Sequence, residues 1–386
     1  MKRIFLLLLL LPGFLCACGR NEPASAPEEN TPIPEETSVR YWEEMAWDDH
    51  LALDYAQSFS VGFEESGFAR IQIDQETYLL CPDGLQPPSD TPEEVTVLYQ
   101  PLDNIYLQAT AAMDCFRELD AIAAITMSGT QAEGWYIDEA RQAMESGAMV
   151  YAGKYSAPDY ELILDKGCDL ALESTMIYHN PEVKEQLERF GVPVLVERSS
   201  YESHPLGRME WIKLYGVLLG KLDEATACFD QQIQRLEPIL EQENTGKTVA
   251  FFSVTSNGSV TVRKSGDYIA KAIDLAGGVY VSADLAEEEN ALSTMNIQME
   301  AFYDTARDAD VLIYNSTIEA DLETIDQLIA KSAPLADFKA VQSGDVWCTG
   351  KSMFQESQSV GKMILDIHAI LTGEGTDDLT YLRQLK

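Results

Sequence analysis

The sequence predicts an α/β protein of two lobes, each a mainly parallel sheet flanked by helices, joined by a long backbone helix. Three observations carry that reading. Short apolar runs at 95–99, 122–126, 149–152, 169–173 and 193–197 alternate with helical patterns. A second set follows at 249–254, 260–263, 278–281, 310–314 and 345–348. Between the sets, Met209 to Gln242 contains few breakers: Gly216, Gly220 and Pro238. Strands alternating with helices imply parallel pairing, because each helix carries the chain back across the sheet.

The chain opens on an export signal. Lys2 and Arg3 form a positive start, Ile4 to Leu11 is an unbroken apolar run, and Pro12-Gly13 breaks any helix. Crossing a bilayer takes about 20 apolar residues, so residues 1–17 read as a signal peptide that is removed. Leu15-Cys16-Ala17-Cys18 resembles a bacterial lipobox. The resemblance implies that Cys18 is acylated, becomes the mature N-terminus, and holds the chain at the extracytoplasmic face of the cell membrane. The alternative is an ordinary secreted protein. Residues 18–40 are rich in Pro, Glu, Ser and Ala and lack the apolar surface to fold, so they form a tether. Tyr41, Trp42 and Trp47 mark the start of the folded chain.

The folded part divides into an N-terminal α/β lobe at 41–208, a linking helical segment at 209–243 and a C-terminal α/β lobe at 244–386. In the link, Leu222, Ala225, Phe229, Ile233 and Leu236 keep helical spacing, with Asp223 as the expected N-cap. A helix of roughly 20 residues is about 30 Å long, enough to join two lobes and limit them to a small opening and closing.

Composition excludes several classes. Formal charge is −37, and removing Lys2 and Arg3 takes it to −39. Nucleic acid, which needs clustered Lys and Arg, is excluded as a partner. Cys81, Cys115, Cys168, Cys228 and Cys348 are scattered and odd in number, so they read as free thiols rather than disulfides or a zinc site. There is no Gly-x-Ser-x-Gly elbow, His-Glu-x-x-His pair or phosphate loop, and only four histidines. The chain is therefore not expected to be an enzyme.

Several segments carry a family resemblance. Ser156-Ala157-Pro158-Asp159-Tyr160-Glu161-Leu162-Ile163-Leu164 is followed by Cys168-Asp169-Leu170. Val192-Pro193-Val194-Leu195-Val196-Glu197 leads to Ser203-His204-Pro205-Leu206-Gly207-Arg208, and Gly266-Asp267-Tyr268-Ile269 to Ala276-Gly277-Gly278. Together they resemble the class III, helical-backbone substrate-binding proteins of ABC importers, over nearly all of residues 90–373. The resemblance implies a small-molecule cargo, a ferric siderophore first and haem or a corrinoid second, with no intrinsic cofactor. It also implies an ABC permease partner, contacted by one glutamate on each lobe. Those are Glu161, eight residues before Asp169, and Glu300, ten before Asp310. The alternative is that both are solvated helix-face carboxylates. The chain is expected to act as a monomer. A lipid-anchored ligand sensor or hydrolase is the reading from another class.

Ligands of open α/β sheets sit beyond the carboxyl ends of the strands. The residues there include Asn104, Ser128, Thr130, Ser174, Tyr178, Ser199, Asn257, Tyr268, Asn315 and Phe354, and the ligand candidates among them are Tyr106, Lys154, Tyr201, His204, Arg208, Arg263, Lys264 and Lys351. Cations at such positions in an acidic chain suit an anionic chelate; otherwise they form surface pairs with Glu and Asp. Tyr201 and His204 together suit ferric or haem iron; otherwise His204 is tied to a carboxylate such as Glu202. No metal ligand is assigned with certainty.

Overall fold

Short, partly alternating strands build a separate sheet ahead of the parallel sheet of the first lobe. Asp49–His50 (β1), Phe59–Phe63 (β2), Ala69–Ile73 (β3) and Glu76–Cys81 (β4) pair antiparallel in order. Val95–Tyr99 (β5) adds parallel to β4 at the edge. The expectation that 95–99 opens the parallel set of the first lobe is thereby corrected. Period-2 patterning at 59–61 and 69–73, with turns at Glu65-Ser66 and Asp74-Gln75, is the signal for β2 and β3, whereas β4 buries four residues in a row. The structure is a computed structural model and describes residues 40–282, 294–317 and 321–386. The signal segment, Cys18 and the tether up to residue 39 lie outside them.

The first lobe's sheet comprises Ile105–Leu107 (β6), Ile125–Ser128 (β7), Val150–Tyr151 (β8), Leu170–Ser174 (β11) and Val194–Glu197 (β12). A small hairpin, Gly153–Lys154 (β9) with Ala157–Pro158 (β10), follows β8. The order is β12-β11-β6-β7-β8, and every pair is parallel. β12 is buried along its whole length and β11 in all but its last residue, as parallel strands covered on both faces require. The run at 122–126 begins with a 3-10 turn, so the strand itself starts at Ile125. Flanking helices are Met113–Glu118 (α1), Asp138–Ser146 (α2), Tyr160–Asp165 (α3) and Pro181–Arg189 (α4).

The link is three helices: Pro205–Glu210 (α5), Ile212–Leu219 (α6) and Leu222–Leu240 (α7). Gly220, at φ 67°, ends α6 and turns the chain back so that α7 packs along α6. Lys221 occupies the N-cap position of α7, and Asp223 stands inside its first turn. Two buried carboxylates, Glu210 in the link and Glu202 just before it, hold the extended segment that enters the added sheet. Glu210 accepts from the backbone N–H groups of Asp54, Tyr55 and Ala56 and from the Lys213 ammonium at 2.8 Å. Glu202 accepts from Gln57, Ser58 and the Trp211 indole.

The second lobe is built on Thr248–Val254 (β13), a run buried at six of its seven residues. Val260–Arg263 (β14) and Val279–Tyr280 (β15) share one edge of it, and Thr294–Ile297 (β16) extends β14. Val311–Tyr314 (β17), Val346–Thr349 (β18) and Leu382–Gln384 (β19) continue from the other edge. β13, β15, β17 and β18 are parallel, whereas β14 is antiparallel. The turn from Thr255 to Ser259 explains that difference, since a parallel crossover needs a dozen or more residues. Helices Tyr268–Leu275 (α8), Met299–Ala306 (α9), Ile325–Lys331 (α10), Lys339–Ser343 (α11) and Val360–Thr372 (α12) surround the sheet.

The lobes repeat one device. Asp169, just before β11, accepts from the Asn104 N–H that leads into β6, at 2.9 Å. Asp310, just before β17, accepts from the Thr248 N–H that opens β13, at 2.8 Å. The hydrogen bond from Lys339 is the largest influence on Asp310, and with Thr248 it holds that carboxyl down at about 2. Each aspartate ties the start of its own strand to the start of the neighbouring one.

Candidate functional site

Chain order reverses between β6 and β11 in the first lobe, and between β13 and β17 in the second. Ligand crevices open at such switch points, beyond the carboxyl ends of the strands. Gln108 and Ser174 flank the first; Thr255 and Asn315 flank the second. Asn315 is buried and accepts from the Thr317 N–H and hydroxyl. Gln108 donates to the Gly153 carbonyl at 3.0 Å and lies flat on Gly129, where a Cβ would meet its amide.

Large side chains left open to solvent concentrate at these ends. Tyr136, Tyr151, Met176, Tyr178, Tyr201 and Phe354 are 37–46% exposed, and each ends a strand or follows one. They are six of the eleven exposed large hydrophobic residues among the described ones, so an apolar rim gathers at this end of the sheets. Lys154 lies exposed in the hairpin after β8, and Lys351 follows β18 half-buried. Sequence reasoning missed Tyr136, Tyr151 and Met176 as rim residues.

The other sequence candidates go elsewhere. Tyr106 is fully buried, its hydroxyl donating to the Gly153 carbonyl and accepting from Gln108; burial pushes its pKa up. His204 caps α5, its Nδ1 accepting from the Leu206 N–H, and its ring stacks on Tyr55 at 5.0 Å. Burial and then Lys271 lower its pKa, and the expected Glu202 partner serves Gln57, Ser58 and Trp211 instead. Arg208 is buried with its guanidinium 4.5 Å from the Tyr268 ring centroid. Arg263 lies beside Phe251, midway along β13, because β14 runs antiparallel. It pairs with Asp267 at 3.4 Å, and Lys264 beside it is also engaged. Arg208 and Arg263 therefore meet around Tyr268, where the link meets the second lobe, rather than beyond the carboxyl ends of the parallel strands. No group of three metal-ligating side chains occurs among the described residues.

The lobes are joined across this end by the segment after β18. Gln355 donates to the Gly134 carbonyl and accepts from the Tyr136 N–H, at 2.7 and 2.8 Å. Phe354 packs edge-on to Tyr136. Glu356 pairs with Arg117, and Gln358 N–H donates to Asp114. Asp114 is fully buried; desolvation raises its carboxyl to about 7 against the pull of Arg117. Beneath the rim, Glu173 on β11 is buried with both carboxylate oxygens unpartnered, and desolvation lifts it to about 8.

Glu161 stands exposed in the first turn of α3 and Glu300 exposed in the first turn of α9. α9 has eight residues to the six of α3. That difference absorbs the ten-against-eight spacing, because Asp169 and Asp310 already occupy matching places.

A cavity of about 660 Å³ lies away from this rim, against the entry ends of β11 and β12. Glu76, Glu93, Glu94, Asp169 and Glu188 line it with one cation, Lys184, which Glu76 and Glu188 already engage. Its charge opposes an anionic ligand, and the switch points lie at the other end of the strands.

Comparison with known proteins agrees with the geometry. The triscatecholate siderophore binding protein FeuA from Bacillus subtilis, solved with ferri-bacillibactin, is similar in structure at 15% identity and TM-score 0.56. The match covers 72% of this chain and 95% of that one. The periplasmic haem binding protein HutB of Vibrio cholerae gives 16% identity and TM-score 0.54, covering 68% and 97%. An uncharacterised lipoprotein of Methanocaldococcus jannaschii is 25% identical over 243 residues, 62% of this chain. A second lipoprotein of that organism is 26% identical over 258 residues, 64% of this chain. The chain spans 56% and 64% of the lengths of these two relatives. The family described as periplasmic binding protein, whose members bind solutes and are not enzymes, matches residues 118–352, more than half of the chain. The chain belongs to the periplasmic binding protein family.

Proposed function

We propose that this protein captures a ferric siderophore or related iron chelate outside the cell and delivers it to an ABC permease. The observation that carries the reading is the rim itself: exposed tyrosines and Phe354, with Lys154 and Lys351, gathered at strand carboxyl ends of a strongly acidic chain. Aromatic faces and local cations suit a bulky anionic chelate that the net charge would otherwise repel. The solved neighbours named for siderophore and haem binding support the same class of cargo. Cys18 would carry the lipid anchor, with the lobes at 41–208 and 244–386 turning about the link at 209–243.

Delivery would use Glu161 and Glu300, exposed at matching places on the two lobes. A carboxylate docked on a cation in a closed interface matters by about 2–5 kcal/mol when one partner is lost. Glu161→Lys with Glu300→Lys is expected to leave chelate affinity unchanged and to abolish growth on the chelate as sole iron source. Normal growth would make both ordinary surface carboxylates. Lost chelate affinity would place them in the cleft.

A further inference from the structure

The five-stranded sheet at 49–99 precedes the family match, which begins at residue 118, yet one of its turns reaches the rim. Asp74 and Gln75 form the two-residue turn between β3 and β4, with Asp74 in the left-handed region at φ 55°. The Asp74 carboxylate meets the Arg198 guanidinium at 2.5 Å, and Arg198 is the first residue after β12. The same Arg198 Nη1 lies 3.5 Å from the Tyr178 hydroxyl, and its guanidinium carbon lies 4.9 Å from the Tyr201 ring centroid. The arginine is mostly covered, at 20% exposure, while both tyrosine rings stay open. A recess of about 290 Å³, lined by Ser58, Ser60, Gln72, Asp74 and Arg198 among others, adjoins the group.

We infer that the added sheet completes the cargo cleft: Asp74 fixes Arg198 so that Tyr178 and Tyr201 form a platform for an aromatic arm of the chelate. This rests on the iron-chelate reading above and names the kind of chelate. An unpinned arginine would sample many rotamers, and a flanking ring is held in place by a fixed guanidinium over its face. Because Asp74 takes up much of its charge, Arg198 acts as a positioning residue rather than as a counter-ion to the cargo. The tyrosines supply flat faces for stacking and hydroxyls for the chelate's oxygens.

The sign of one substitution separates positioning from plain charge. Asp74→Asn keeps a residue that tolerates positive φ and removes only the negative charge. If charge alone mattered, an anionic ferric tris-catecholate would bind more tightly. The platform requires the opposite: the full-length protein in detergent should bind ferric tris-catecholate about three- to tenfold more weakly, with ferric tris-hydroxamate within about twofold. Arg198→Gln should give a similar loss, and the double variant should lose no more than either single one. In NMR of ring-labelled tyrosine, Asp74→Asn should shift Tyr178 and Tyr201 and leave Tyr136 in place. Unchanged or tighter catecholate binding, or unshifted rings, would overturn the platform while leaving the cargo reading intact. Wild-type protein that binds neither chelate would overturn the cargo reading, and this inference with it.

Discussion

Replacing Glu210 by alanine is expected to cost about 3–5 kcal/mol of folding free energy, the range for removing one member of a buried charged network. Glu210 is fully buried and accepts from three consecutive backbone N–H groups and the buried Lys213 ammonium. Burial pushes its carboxyl up, but Lys213 and then the N–H groups of Ala56, Asp54 and Tyr55 outweigh that and leave its pKa lowered. Without Glu210, those donors stay buried with no acceptor and the Lys213 charge keeps only the Ala52 carbonyl and the face of the Phe229 ring. The damage is local in origin, so residues 51–58 should become cleavable by protease before the lobes melt. Equilibrium denaturation with limited proteolysis would measure both effects. A loss below about 1 kcal/mol with an intact segment would show that water replaces the carboxylate.

Glu173→Gln is expected to do the reverse and stabilise the protein at alkaline pH. The folded carboxyl is lifted from 4.5 to about 8 by burial, so the folded state keeps a proton that the unfolded state releases. The wild-type protein therefore loses stability as pH rises from about 4.5 through about 8. Glutamine keeps the shape, removes the ionisation and should flatten that slope, giving a gain that grows from pH 5 to pH 8.5. The ceiling is about 4 kcal/mol. Parallel stability profiles for wild type and variant would show that Glu173 stays ionised on a buried water.

The two parallel sheets were legible because their strands are short continuous apolar runs between helical patterns, as with Val194–Glu197 and Val311–Tyr314. Of the sheet at 49–99 only the strand at 95–99 was expected, and it was assigned to the wrong sheet; β1 to β4 were missed because short, partly alternating strands such as Ala69–Ile73 read weakly beside continuous runs. Arg263 was misplaced because chain position does not give strand direction; only the short turn before β14 does. His204 looked free for a ligand because capping geometry depends on where α5 starts. The rim tyrosines were partly visible, but Tyr136 and Tyr151 carry no local mark. Only the sheet order brings them to one end. Glu161 and Glu300 were singled out by the family resemblance alone, and the longer α9 with the paired aspartates of the two lobes explains their different spacing.

The visible spectrum and iron content of the protein purified from its native host, grown short of iron, test cargo capture most directly. A chelate-to-iron absorption band with about one iron per chain, restored by titrating the stripped protein with a ferric siderophore at micromolar or tighter affinity, is expected. A colourless protein whose tryptophan emission ignores every ferric siderophore, haem and cobalamin offered would contradict it.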